Sequence, residues 1–148
     1  MSKLRRILFP LPPSPTVLSV LFLAVRIVVG LLFLNHGIAK CVAYDRLIIT
    51  FPDPLSLGSD VSFILVLFAE VICSLGFILG ILFRFCLIPM IFTMCIVIFV
   101  VHAGASIYEK ELPILYLTIF VFMFFTGPGF FSFDMAFREL SIGGYSGN

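Results

Sequence analysis

The sequence predicts an all-α fold: a membrane-embedded four-helix bundle with short loops and a short interfacial C-terminal segment. Three observations carry that reading. Hydrophobic residues make up 61% of 148 residues and charged ones only 11%, whereas soluble domains run to about 45–50% apolar and 25% charged. The apolar residues gather into long runs that leave no room for a separate soluble module. No run shows the alternation of a barrel strand, so helices are what can satisfy backbone polar groups in lipid.

The elements follow in order. Residues 1–16 carry Lys3, Arg5 and Arg6, then Pro10, Pro12, Pro13 and Pro15. Prolines so close together do not continue a helix, so this is a basic, Pro-rich cytoplasmic or interfacial segment. The transmembrane domain spans 17–129. Its first helix, at about 17–38, is long enough to cross the bilayer and lacks a small-residue cleavage site, so it reads as retained rather than as a removed leader. Further helices are expected at about 61–82, 85–103 and 112–126, set against the ~20 residues that cross about 30 Å of hydrocarbon. The few residues around Arg84 force the second and third into an antiparallel pair.

The linker 40–60, with Pro52, Pro54 and Gly58, is the longest loop. Its Leu47, Ile48, Ile49 and Phe51 suit packing on the membrane surface or capping of the bundle. Pro113 fits a first helical position in the short fourth span. Gly127, Pro128 and Gly129 end that span, and 130–148 forms a Phe-rich interfacial tail with a short helix over 132–138. The phenylalanines of 120–133 read as an aromatic belt at the interface.

An even number of spans puts both termini on one side. Lys3, Arg5, Arg6, Arg84 and Arg138 then oppose Lys40, Arg46 and Lys110, which favours cytoplasmic termini. A net charge of +1 without a basic run excludes nucleic acid as a partner. Cys41, Cys73, Cys86 and Cys95 contain no Cys-x-x-Cys pair, so they read as small packing residues rather than a zinc cage or dithiol relay. No metal site is assigned.

Two charges fall deep in the apolar runs, Arg26 in the first span and Glu70 in the second. An intramembrane charge costs about 2.5–3.5 kcal/mol even on lenient scales, so both are expected to face inward as a buried polar core, paired with each other. Residues 26, 30, 33, 37 and 40 share one face of the first helix, placing Arg26, Gly30, Gly37 and Lys40 on one interior stripe. Asn35, His36, Lys40, His102 and Glu111 are expected at one mouth of the bundle. Such a mouth suits a hydrogen-bonded structural cluster, or a site for a quinone or similar headgroup whose tail lies in the apolar interior. Haem or metal ligation has weaker support, because no tight ligand motif exists. Gly76 and Gly80 form a small-x-x-x-small pattern for close helix packing, within the bundle or across a homo-oligomer interface.

Arg26, Gly30, His36, Gly37 and Lys40, then Glu70, Gly76, Gly80 and Arg84, then His102, then Glu111, Leu115, Tyr116 and Leu117, then Gly127, Pro128, Gly129 and Asp134 resemble, in that order, the DoxX family of small four-helix membrane proteins. The resemblance covers about 21–134. It implies a bacterial inner-membrane protein with a redox connection, since related proteins include a subunit of an archaeal thiosulfate:quinone oxidoreductase and a mycobacterial member that associates with oxidative-stress enzymes. The expected function is therefore a small subunit or partner of a quinone-linked membrane oxidoreductase system. Quinone is the candidate cofactor, the bilayer is a partner, and a membrane or periplasmic oxidoreductase is a candidate second one. The alternative is a non-catalytic assembly or binding protein for another membrane protein, since neither a phosphate loop nor a nucleophile with a base is present. Transport along an Arg26–Glu70 axis is a third class, weakened by the absence of an inverted repeat. No residue is given a catalytic role.

Overall fold

Six helices and no strand make up the described residues, 14–143, of this computed structural model. The basic, Pro-rich segment expected over 1–16 lies outside them as far as residue 13. Helix α1 (Pro15–Val42) starts where Ser14 accepts the Val17 N–H and Pro15 occupies the first turn, where its missing donor costs nothing. It runs on past the expected end, and Lys40 falls in its last turn, where the helix dipole favours a cation.

The linker expected over 40–60 holds a short helix, α2 (Tyr44–Thr50). Tyr44 and Phe51 bring their rings to 5.6 and 5.1 Å from that of buried Phe63, pinning the linker to the next helix. Asp53 then accepts the N–H groups of Leu57 and Gly58 and the Ser62 hydroxyl. Hydrogen bonds donated to the carboxylate keep it below the ordinary range, chiefly that from the Gly58 N–H and then that from Ser62.

Helix α3 (Ser59–Leu79) is α-helical apart from one wider π turn over Phe68–Ile72. Gly80 ends it at φ +70°, a left-handed conformation that favours glycine. Of the small-x-x-x-small pair, Gly76 lies within the helix against Cys86, and Gly80 is the helix terminus against Arg26 and Ser132. Helix α4 (Phe83–Val101) begins almost at once and ends in a second π turn, Val97–Val101.

Helix α5 (Ile107–Thr126) starts about a turn and a half before the expected 112. Ser106 precedes it, so Glu109 and Glu111 lie on the helix rather than in a loop, and Pro113 is internal. The N–H that Pro113 lacks would have reached the Glu109 carbonyl, in an exposed turn open to water. Helix α6 (Phe133–Gly143) closes the described chain.

Three helices, α1, α3 and α4, are long and apolar enough to cross a membrane. At 28, 21 and 19 residues they exceed or approach the ~20 residues that a bilayer requires. Their outward faces are apolar as well: Leu21, Val28, Leu31 and Leu32 on α1 are all more than half exposed. Water would not tolerate a face of that kind, but acyl chains do.

Helix α3 packs between α1 and α4, and α5 packs along α4. Rings tie α5 back to α1: Phe33 lies 5.1 Å from Tyr116 and 5.0 Å from Phe120, and Phe120 in turn reaches Phe77 at 5.6 Å. Phe120 is fully buried, which removes it from the expected interfacial belt, whereas Phe122, Phe125, Phe130, Phe131 and Phe133 remain exposed. Glycine sets the closest approach of α1 to α3. A Cβ on Gly30 would strike Ile78, and one on Gly37 would strike Val71 and Glu70.

Candidate functional site

Arg26 and Glu70 are both buried, at 1% and 4% exposure, but they do not pair. The guanidinium spends its fork on carbonyls. Nε donates to Phe77 at 3.0 Å, Nη2 to Ile78 at 2.7 Å, and Nη1 to Pro128 and Phe131 at 2.9 and 2.8 Å. The carbonyls of Phe77 and Ile78 belong to the last turn of α3, where no helical N–H follows to satisfy them. Glu70 lies seven residues earlier, roughly 10 Å along the helix axis, beyond the reach of a guanidinium already engaged there.

The same end carries a second clasp. Asp134 accepts the N–H groups of Leu82 and Phe83, both at 2.9 Å, so its carboxylate caps the start of α4. Its own N–H donates to the Gly80 carbonyl. A Cβ on Gly80 would meet both Arg26 and Ser132, so the turn between α3 and α4 and the chain after α5 fit only around a glycine.

Glu70 takes its partner from the opposite direction. Lys40, one turn along α1 beyond Gly37, turns inward and donates to Glu70 Oε2. The bare backbone of Gly37 against Glu70 is what allows this approach. Glu70 itself sits in the π turn of α3, a feature that recurs at functional positions because it re-aims a side chain within an otherwise regular helix.

Beside the ion pair opens a cavity of about 340 Å³, within the size range of small-molecule sites. Phe33, Leu65, Val66, Met94, Val97 and Leu112 give it a largely apolar wall. Its polar groups are few: His36, Lys40, Ser62, Glu70, Thr93, His102 and Tyr116. Phe51, Pro52, Pro54 and Leu55 of the linker close over it.

Two of those polar side chains are unusual. Thr93 and Tyr116 are 7% and 6% exposed, and among the described residues their hydroxyls donate to and accept from no protein group. No fully occluded polar side-chain atom among the described residues lacks a partner, so both hydroxyls keep some accessible surface, and both residues line the cavity. His102 is more constrained. Its Nδ1 lies 3.1 Å from the Val97 carbonyl, which only accepts, so Nδ1 donates there and Nε2 is left outside that bond. The His36 ring stands edge-on to Tyr116 at 6.0 Å.

Of the residues expected at one mouth, His36, Lys40 and His102 line the cavity, together with Glu70. Asn35 and Glu111 are exposed and do not line it. Both sit next to cavity-lining neighbours, His36 and Leu112, but a one-residue step turns a helical side chain through about 100°. Thr93 was not singled out from the sequence, and Tyr116 entered only through the resemblance. A lone hydroxyl in an apolar run is the signal that marks Thr93. Among the described residues no group of three or more His, Cys, Asp or Glu side chains converges as a metal site.

No curated protein and no solved structure matches the chain. The family model for DoxX matches residues 21–103, more than half of the 148. That stretch holds α1, α3 and α4 with Arg26, Lys40, Glu70 and His102. The chain therefore belongs to the DoxX family and is a multi-pass membrane protein.

Proposed function

We propose that this protein binds a quinone-type headgroup in the cavity beside Lys40 and Glu70, as a small subunit or partner of a quinone-linked membrane oxidoreductase system in a bacterial inner membrane. The observation behind this reading is the pair of buried hydroxyl residues, Thr93 and Tyr116, lining a largely apolar cavity that Lys40 also lines. These groups fit a quinone ring: hydroxyl and ammonium donors suit its carbonyl oxygens, and the apolar wall suits the ring and tail. Helix α5 serves as the fourth span, its charged first turn at the interface, and both termini lie in the cytoplasm by the distribution of Lys and Arg.

Protein purified gently with native lipid retains quinone under this proposal. Lys40→Ala, and the milder Tyr116→Phe, lower the amount retained per mole of folded protein. Equal quinone content in wild type and both variants overturns it.

The assembly-protein alternative rests on Arg26, whose guanidinium is bound to four backbone carbonyls and serves the fold. A stoichiometric membrane partner in a gentle pull-down, with no retained quinone, favours that reading.

A further inference from the structure

Helices α3 and α4 lie close from their connecting turn up to the π turn that carries Glu70. Beyond it they part, and Ser59–Leu67 makes no comparable approach to α4. The cavity occupies this fork, and Leu65 of α3 and Phe92 and Ile96 of α4 line it there. Leu65 and Phe92 are also 49% and 53% exposed, so each forms the cavity's edge and the outer apolar surface at once.

Phe92 neighbours Thr93, eight residues from the end of α4, or roughly 12 Å along its axis. That depth lies within the hydrocarbon layer. The opposite approach, from the aqueous side, meets Phe51, Pro52, Pro54 and Leu55. A water-soluble polar molecule would have to cross this apolar cap, whereas a lipid-like one meets only like surface at the fork.

The polar floor constrains the head. Lys40 and Glu70 cancel each other's charge, so a charged group entering beside them would have to break a buried pair. The unspent groups are the hydroxyls of Thr93 and Tyr116, the remaining Lys40 donors and Nε2 of His102. All of them suit neutral oxygen-bearing groups.

We propose that the ligand is a bilayer-resident amphiphile that reaches the cavity sideways between α3 and α4, sets a neutral carbonyl- or hydroxyl-bearing head against Thr93 and Tyr116, and leaves its tail between Leu65 and Phe92 in the lipid. This rests on the cavity being a binding site, as proposed above, and adds the route and the class of molecule.

The chain contains no tryptophan, so one introduced reporter fluoresces without background. The full chain in lipid nanodiscs carries Phe92→Trp at the fork or, in a separate preparation, Phe51→Trp at the cap. Each is titrated with a phenol bearing a long alkyl tail brominated near the ring, bromine quenching on contact. The Phe92→Trp reporter loses emission in a saturable way, and the unbrominated phenol reverses the loss, while the Phe51→Trp reporter changes less. Ile96→Trp replaces Phe92→Trp if that variant does not fold. Saturable quenching confined to the cap reporter overturns the lateral route, as does quenching at the fork that grows without limit and resists competition. If protein retains native quinone in those cases, only the route fails; if it retains none, the binding reading falls with it.

Discussion

Arg26 and Lys40 lie on the same face of α1, roughly 21 Å apart by the helical rise, yet they meet opposite surroundings. Arg26 is bonded to four carbonyls from two separate parts of the chain, packed over the Phe83 ring and sealed by Gly80. Lys40 meets one carboxylate and a cavity that Thr93 and Tyr116 also line. The planar fork of arginine matches several fixed acceptors and so serves to close an end. An ammonium on a flexible stem leaves donors to spare, which is what a binding site requires. Where the cation is tied to four carbonyls the bundle is structural, and where donors remain beside a cavity it has room for a ligand.

Breaking the closed end has the largest expected effect. Arg26→Leu orphans four carbonyls, one buried and three part-buried, at about 1–3 kcal/mol for each that water cannot reach, so a loss of at least ~3 kcal/mol is expected, seen as a collapse of the thermal transition in detergent. Arg26→Lys does not restore it, because a point charge cannot span both sets of carbonyls. Recovery by lysine would show that charge rather than fork geometry holds this end.

At the open end, Lys40→Met leaves Glu70 buried and unpaired, for a loss of ~3 kcal/mol, the lower end of the range for breaking a buried pair. Glu70→Gln costs less, because Lys40 is partly exposed and can turn outward. The double variant regains most of the loss. A double-mutant cycle checks this, and additive effects would show that the two residues are not coupled.

Gly80→Ala comes next, at about 1–2 kcal/mol for the left-handed backbone alone and more from the contacts with Arg26 and Ser132. Gly127→Ala meets nothing within 4 Å, so its cost is backbone strain alone, set by φ 84° and ψ 179°, a region that glycine almost alone adopts.

The smallest effect is a pH response in the linker. Because the folded Asp53 carboxyl lies below its ordinary value, its contribution is fully present above that value and disappears as pH falls through the depressed one. Hydrogen exchange across 51–58 should therefore rise in acid before the bundle melts, and Asp53→Asn should show raised exchange already at neutral pH.

The inward stripe of α1 was legible because it needs only the helical period: Ser19, Arg26, Gly30, Phe33 and Gly37 are its buried residues. The partners were not legible. Pairing Arg26 with Glu70 followed from opposite charge and similar depth, but the carbonyls of a helix end are invisible in a list of side chains. They outcompeted the carboxylate. The π turns at Phe68–Ile72 and Val97–Val101 contain neither Gly nor Pro to announce them, and they bear on where Glu70 and His102 point. Asp134, reaching back over fifty residues to cap α4, had no local signal at all. The cavity likewise arises from the parting of two helices, which hydropathy does not encode.

The Arg26 clasp also dictates an order of events during biosynthesis. Two of its acceptors, Pro128 and Phe131, are 102 and 105 residues downstream. At about 5–20 residues per second, the ribosome delivers them several seconds or more after Arg26 has been made. Until then the guanidinium has at most the carbonyls of α3, themselves 51 and 52 residues downstream, so a nascent chain halted before residue 128 lacks two of the four final acceptors of this cation.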